Sequence, residues 1–259
     1  MRSSNPVLGE NVFSHSAAGG QVMTVQGAVN KTFILLALVL LPAAWIWSQI
    51  LRPASDVMLG YEASAAPVSS GMWMPFVIGG GILGFIFALV TVFKKEWSMV
   101  TAPLYALCEG FVLGGISAFF ERMYPGIVMQ AVALTIGTLF CLLMAYKAGL
   151  IRVTEKFRTG MLVATGAIAL IYLATIVLGF FNVRVPYIHE GGIIGIGFSL
   201  FVVGIAALNL VLDFDFIERG EEAGAPKYME WYSAFGLMVT LIWLYMEILK
   251  LLSKLRSRD

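Results

Sequence analysis

Seven long apolar stretches dominate the sequence, and they constrain its fold more than any other feature. Each is close to the roughly 20 residues that a helix needs to cross the hydrocarbon core of a membrane. The stretches are 33–51, 72–93, 98–120, 126–146, 160–181, 191–212 and 231–253. Lipid offers backbone groups no hydrogen-bond partner, and the stretches do not alternate as the strands of a barrel do. The sequence therefore predicts an all-α membrane protein, a bundle of seven transmembrane helices.

The composition agrees with a membrane protein and argues against a protein that binds nucleic acid. Only 13% of the 259 residues are charged, whereas a soluble domain contains about 25%. The net charge is +1, and no basic patch interleaved with aromatic residues lies outside the apolar stretches. Cys108 and Cys141 fit neither a zinc pattern nor a disulfide framework, and we interpret them as packing residues. We therefore expect no nucleic-acid partner and no cofactor.

Tails and short connectors make up the rest of the chain. Residues 1–30 are polar and rich in Gly, Ser and Ala, and predict a flexible N-terminal tail. The transmembrane domain occupies 31–253, and 254–259 form a basic C-terminal tail. The first apolar stretch is longer than a signal-peptide core, so we expect an uncleaved first span. The two histidines are isolated and no catalytic motif is present, so we predict that the protein is not an enzyme.

The distribution of lysine and arginine predicts the orientation of the bundle. Ten of these residues lie in the tail and connectors on the N-terminal side, against three in the opposite connectors. The positive-inside rule therefore places the N-terminus in the cytoplasm. Seven spans then put the C-terminus on the far side, although that end carries four further basic residues within 250–258. We give the connectors the greater weight.

Three pairs of glycines spaced four residues apart predict close contacts between helices. The pairs are Gly80 with Gly84, Gly110 with Gly114, and Gly191 with Gly195. Glycine at this spacing lets two helix backbones approach closely in lipid. We interpret the pairs as a packing signal rather than as a ligand site.

Four acidic residues in the apolar stretches or at their ends are the candidate functional residues. They are Glu109, Asp213, Asp215 and Glu247. An ionisable side chain inside a bilayer is costly, so each is a functional candidate by default. Glu109 lies about eleven residues into its stretch, which places it near mid-membrane at about 1.5 Å per residue. The alternative for Glu109 is a protonated side chain that hydrogen-bonds another helix.

The other three acids have structural alternatives of their own. Asp213 follows Asn209 by one helical turn and shares its face, while Asp215 points roughly the opposite way. Ordinary solvation at a helix end is the alternative for this pair, but the apolar residues around the two acids favour continuation of the helix. For Glu247 the alternative is an i,i+3 ion pair with Lys250 near the membrane surface.

Several segments of the chain resemble the Bax inhibitor-1 family. Residues 209–220 (NLVLDFDFIERG) resemble its sixth-span signature, in which an Asp is followed four residues later by an Ile; here these are Asp213 and Ile217. The opening Ser-Asn-Pro-Val-Leu and the phrase Gly-Ala-Val-Asn-Lys-Thr resemble a bacterial subgroup described only as Bax-inhibitor-like. Three further segments resemble the family's third span, basic connector and last span, at 109–114, 146–158 and 234–247 respectively.

The resemblance implies a pH-sensitive calcium leak in which two carboxylates on the last two spans share a proton and gate the pore. Asp213 matches the first carboxylate. Two alignments of the last span compete for the second, one pointing to Glu247 and the other to Thr240. The positions along the helices favour Thr240, because Glu247 would stand roughly 16 Å from the level of Asp213. We therefore expect Glu109 or Asp215 to supply the second acid.

The predicted function is that of a cation-conducting protein of the bacterial inner membrane, a calcium leak that responds to protons. Asp213 and Glu109 are the acids that would carry it and bind calcium transiently, since calcium prefers oxygen ligands. Asn209 and Thr240 would support them, and the partners are the lipid bilayer and calcium or protons. One alternative is a non-conducting regulator that binds other membrane proteins through its small-residue faces. A retinal-type photoreceptor is disfavoured because Lys250 lies near the end of its span.

Overall fold

Seven α-helices make up most of the described chain in this computed structural model. The structure describes residues 21–58, 73–181 and 192–257. The helices are α1 (Val25–Met58), α2 (Met74–Phe93), α3 (Ser98–Met123), α4 (Ile127–Lys147), α5 (Glu155–Phe180), α6 (Ile193–Glu222) and α7 (Met229–Arg256). Each contains a segment long and apolar enough to cross a membrane. The predicted all-α membrane protein with seven helices is confirmed.

Several helices extend beyond the apolar stretches that predict them. The hydroxyl of Thr24 accepts a hydrogen bond from the N–H of Gly27 at 2.9 Å, and α1 begins at Val25. The assignment of 21–30 to a flexible tail is therefore corrected, because polar partners elsewhere in the fold hold this segment. Residues 254–256 of the predicted C-terminal tail are likewise helical. The parts of the predictions that fall on residues 1–20, 72, 191 and 258–259 lie outside the described residues.

Glycines with left-handed backbone angles mark turns in the connectors. Gly126 has φ +82° just before α4, and Gly224 has φ +63° between α6 and α7. Glycine adopts this conformation at no steric cost. The carboxylate of Glu121 accepts hydrogen bonds from the N–H groups of Gly126 at 2.6 Å and Val128 at 3.2 Å. This carboxylate satisfies donors that the start of α4 would otherwise leave without partners.

Large apolar side chains remain exposed on the helices, as expected of faces that contact lipid tails. Phe85 of α2, Leu162 of α5 and Phe201 of α6 are examples. The helices differ in how many of their residues are buried. In the apolar segments of α3 and α7 the buried share is 44%, against 11% in α5. α3 and α7 therefore contribute most to internal packing, and α5 presents most of its surface outward.

The described residues divide into two compact units. The first comprises the described residues within Met1–Ile46, Ala65–Gly114 and Asp215–Met238. The second comprises those within Trp47–Ser64, Gly115–Phe214 and Val239–Asp259.

Glycines in the first unit mark the close approach of helices. A Cβ on Gly114 would lie 2.6 Å from a carbonyl oxygen of α1, and one on Gly80 would lie 2.7 Å from a carbonyl oxygen of α3. A Cβ on Gly110 would collide with α1 at a carbonyl oxygen and a proline ring. The predicted packing role of these glycines is confirmed. Gly191, in the third predicted pair, lies outside the described residues.

Contacts at the helix ends agree with seven membrane crossings. In the first unit, the N–H of Met23, just before α1, donates to the carbonyl of Ala225 in the α6–α7 connector at 2.8 Å. In the second unit, Arg256 at the end of α7 donates to the carbonyl of Pro125 in the α3–α4 connector at 2.7 Å. Each contact joins two segments that seven successive crossings place on one side of the bilayer.

Candidate functional site

Asp213 of α6 is an acid with an unmet hydrogen-bonding capacity. Thr240 of α7 makes a side-chain hydrogen bond with its carboxyl group. The second carboxyl oxygen, Oδ2, is buried and has no hydrogen-bond partner among the described residues. Leaving a buried acceptor without a donor costs about 1–3 kcal/mol. Such an oxygen is therefore a point at which a proton or a cation would stabilise the protein.

Asn209 lies one turn before Asp213 and connects α6 to α5. Its Nδ2 donates to the hydroxyl of Thr165 at 3.0 Å and to the carbonyl of Ile205 at 2.9 Å. Together with the contact between Asp213 and Thr240, this gives one face of α6 polar links to both α5 and α7. The predicted supporting residues Asn209 and Thr240 thus both hold polar contacts in the second unit.

Glu247 of α7 is buried, and both of its carboxyl oxygens have partners. Lys250 lies 2.9 Å from Oε1, and the hydroxyl of Tyr172 donates to Oε2 at 2.9 Å. The ammonium group of Lys250 also lies 4.8 Å from the centre of the Tyr172 ring. The structure therefore supports the ion-pair interpretation of Glu247. Along α7, Glu247 lies seven residues beyond Thr240, or about 10 Å.

The first unit contains the other two candidate acids. Glu109 of α3 hydrogen-bonds the side chain of Tyr105, one turn earlier on the same helix. A Cβ on Gly84 of α2 would lie 3.7 Å from Oε2 of Glu109, so the carboxyl group faces α2. Asp215 of α6 is buried and forms a 2.9 Å ion pair with Arg219. Asp215 thus has a cation beside it, in place of the solvation expected at a helix end.

The four acids are divided equally between the two units. Asp213 and Glu247 belong to the second, and Glu109 and Asp215 to the first. That Asp213 lies within reach of Glu109 or Asp215 stays a prediction. No group of three or more His, Cys, Asp or Glu within 21–58, 73–181 and 192–257 could hold a metal ion. Transient calcium binding at Asp213 and Glu109 likewise stays a prediction.

Sequence reasoning missed Glu230, which has no exposed surface at the start of α7. Its carboxylate lies 2.9 Å from the ammonium group of Lys31 and 2.8 Å from that of Lys227. Lys227 precedes Glu230 by three residues, a spacing that could have indicated the nearer ion pair. Lys31 lies about 200 residues away in the chain, and no local pattern indicates its contact.

Comparison with known families assigns the chain. A family model described as Bax inhibitor 1 like matches residues 5–257, nearly the whole length. The chain belongs to the Bax inhibitor 1 like family. The match confirms the resemblance seen in the spans, and it agrees with seven apolar helices in the described residues. No curated protein and no solved structure matches the chain.

In this Bax inhibitor 1 like protein, the sixth-span signature lies within one uninterrupted helix. Asp213 and Ile217 are one turn apart on α6, which continues to Glu222. Ile217 is buried, and so is Leu210, two turns earlier on the same helix. The signature therefore combines a packed apolar surface with a carboxyl group that lacks one partner.

Proposed function

We propose that this Bax inhibitor 1 like protein is a pH-sensitive calcium leak rather than an enzyme. We place it in the bacterial inner membrane, with its N-terminus in the cytoplasm. The observation that carries the proposal is the buried Oδ2 of Asp213, which has no hydrogen-bond partner among the described residues. Carboxylate oxygen is a ligand that calcium prefers. The same oxygen binds a proton when the acid is neutral, so one atom serves both the ion and the pH response.

Thr240 is a suitable hydrogen-bond partner for an acid, Asp213, that changes its protonation state. A hydroxyl group donates both to a carboxylate oxygen and to the carbonyl oxygen of a neutral carboxyl group. Because the proton binds at Oδ2, the other carboxyl oxygen still accepts from Thr240, and the hydrogen bond between α6 and α7 persists in both states. Protonation removes the negative charge that attracts a divalent cation. The amide oxygen of Asn209, used in neither of that residue's two hydrogen bonds, is a second oxygen ligand for a passing cation.

Glu109 is the second acid that we propose to respond to pH. Its hydrogen-bond partner Tyr105 is a neutral side chain. The other two candidates each have a cation at 2.9 Å, Arg219 for Asp215 and Lys250 for Glu247. In both pairs the cation already occupies the carboxylate as a hydrogen-bonding and charge partner. Glu109 and Asp213 are therefore the acids better suited to exchange protons.

Flux through the purified protein tests the proposal directly. The protein is reconstituted into liposomes that contain a calcium indicator, and calcium is added outside. We expect entry faster than in empty liposomes of the same lipid, with a rate that changes with pH. Entry equal to that of empty liposomes at every pH would contradict the leak, and would favour a non-conducting regulator that acts through helix contacts.

A further inference from the structure

The segment just before α1 pairs with the connector between α6 and α7. The N–H of Met23 donates to the carbonyl of Ala225 at 2.8 Å, and the N–H of Lys227 donates to that of Gln21 at 3.1 Å. These two bonds flank an antiparallel bridge between Val22 and Pro226. We call residues 21–25 the N-terminal latch.

Glu230 fastens this latch from the start of α7. Its Oε1 accepts hydrogen bonds from the N–H of Thr24 at 3.0 Å and from the Thr24 hydroxyl at 3.1 Å. The same oxygen lies 2.8 Å from the ammonium group of Lys227, and Oε2 lies 2.9 Å from that of Lys31. The side chain of Glu230 has no exposed surface. One buried carboxylate thus joins the latch, α1 and the connector.

Close packing completes the closed latch. Met23 is 1% exposed, and a Cβ on Gly220 near the end of α6 would lie 2.7 Å from its sulfur. The N–H of Val25 donates to the carboxylate of Glu221 at 3.0 Å. A Cβ on Gly27 would collide with the carboxylate of Glu230. The absence of a side chain at Gly27 therefore leaves room for the carboxylate of Glu230.

We propose that the N-terminal latch is releasable, and that its closure holds the end of α6 in place. Removing one partner of a buried carboxylate is strongly destabilising, so each partner of Glu230 contributes to keeping the latch closed. The side chains of Lys31 and Lys227 are 23% and 44% exposed, so both can reach water when the latch opens. Glu221 follows Asp213 by eight residues on the same helix. Resting on the proposed function, we infer that release of the latch raises calcium flux.

Cysteine labelling tests release without any measurement of flux. The protein carries Met23→Cys in a background of Cys108→Ala and Cys141→Ala, and is treated in membranes with a water-soluble maleimide. We expect slow labelling, and labelling faster by about tenfold or more with Glu230→Ala, which removes charge-assisted hydrogen bonds. Gly27→Ala should also speed labelling, since its Cβ displaces the carboxylate. Gly79→Ala is the matched control, because a Cβ there meets nothing within 4 Å.

Two labelling results would overturn the latch. Fast labelling of the Met23→Cys protein with Gly27 and Glu230 unchanged would show that the segment is not closed. Protection that persists in both Glu230→Ala and Gly27→Ala would show that Glu230 does not fasten it. Glu230→Gln separates the two kinds of contact: it keeps an acceptor for Thr24 and loses both ion pairs, so we expect an intermediate labelling rate.

A disulfide across the bridge tests the effect on flux. The two flanking hydrogen bonds make positions 22 and 226 a non-hydrogen-bonded pair, with Cα atoms about 4.5 Å apart, within the range of a disulfide. We expect oxidised Val22→Cys/Pro226→Cys to conduct several-fold less calcium than its reduced form. Equal flux in both forms would overturn the link to conduction. If no variant conducts, the proposed function fails, while the labelling of the Met23→Cys protein still decides whether the latch opens.

Discussion

At the scale of single residues, acids of α6 and α7 are stabilised in two different ways. Glu247 has an ammonium group and a tyrosine hydroxyl at 2.9 Å each. Asp213 has the contact with Thr240, while its other oxygen is buried without a hydrogen-bond partner among the described residues. The first arrangement holds the carboxyl group in place through both of its oxygens, whereas the second leaves capacity for a proton or a cation. This difference separates a structural acid from a candidate sensor.

The ion pair of Glu247 predicts a specific pattern of stability. Lys250→Met leaves a buried carboxylate without its cation and should lower the free energy of unfolding by about 1–3 kcal/mol, less than for a wholly buried pair because Lys250 is partly exposed. Glu247→Gln combined with Lys250→Met removes both charges and should recover part of this loss. Thermal unfolding in detergent measures both variants. Equal unfolding temperatures for wild type and the single variant would contradict the structural role.

The energetic cost of placing a charged side chain in lipid is enough to identify some of the candidate acids from the sequence. It singles out Glu109 and Asp213, because neither has an opposite charge within one turn of its helix. It does not reveal Tyr172 as a partner of Glu247, since the two residues are 75 positions apart. Glu230 was missed because it lies just outside an apolar stretch, where charge is ordinary.

At the scale of elements, α1 and α3 approach each other at glycines. Gly110 and Gly114 of α3 face backbone atoms of α1, and a side chain at either position would displace that helix. The spacing of four residues predicts which glycines pack, because it places them on one helix face. Helix ends were predicted less well, since the start of α1 depends on contacts with the distant residues Glu221 and Glu230.

A methyl group at Gly110 should be enough to disturb this contact. Gly110→Ala places a Cβ where α1 has a carbonyl oxygen and a proline ring, and overpacking of this kind costs about 1–3 kcal/mol. Gly137→Ala in α4 is the control, because a Cβ there meets nothing within 4 Å. The control should unfold at or slightly above the wild-type temperature, since alanine is the better helix former. Gly110→Ala as stable as the control would argue against close packing of α1 and α3.

At the scale of the whole molecule, three basic residues near the C-terminus, Lys250, Lys254 and Arg256, have structural partners. Lys250 pairs with Glu247, and Lys254 donates to the hydroxyl of Ser199 at 2.8 Å and to the carbonyl of Gly195 at 3.1 Å. Arg256 donates to the carbonyl of Pro125. These contacts give the positive charges at the end of α7 a role in packing the second unit. Because these charges have a role in packing, we infer the orientation from the basic residues of the connectors.

Reporter fusions at the two termini test this orientation. Seven crossings and the excess of basic residues on the N-terminal side predict a cytoplasmic N-terminus and a C-terminus on the far side. A phosphatase that is active only outside the cytoplasm and a fluorescent protein that folds only inside it should give opposite results at the two ends. The same result at both ends would mean that one helix does not cross the membrane.

The role of Asp213 as the proton sensor is the central claim, and the pH dependence of calcium flux tests it most directly. Calcium entry into liposomes is compared for wild type, Asp213→Asn, Glu109→Gln and Asp215→Asn over a range of pH. Asparagine keeps the shape of the side chain and can still hydrogen-bond Thr240, but it does not ionise in this range. Asp215→Asn is the control, because that carboxylate is paired with Arg219.

We expect the flux of wild type and of Asp215→Asn to change with pH, and the flux of Asp213→Asn to be flat over the same range. A flat response in Glu109→Gln together with a wild-type response in Asp213→Asn would move the sensor to α3. A response of Asp213→Asn that matches wild type at every pH would contradict the account.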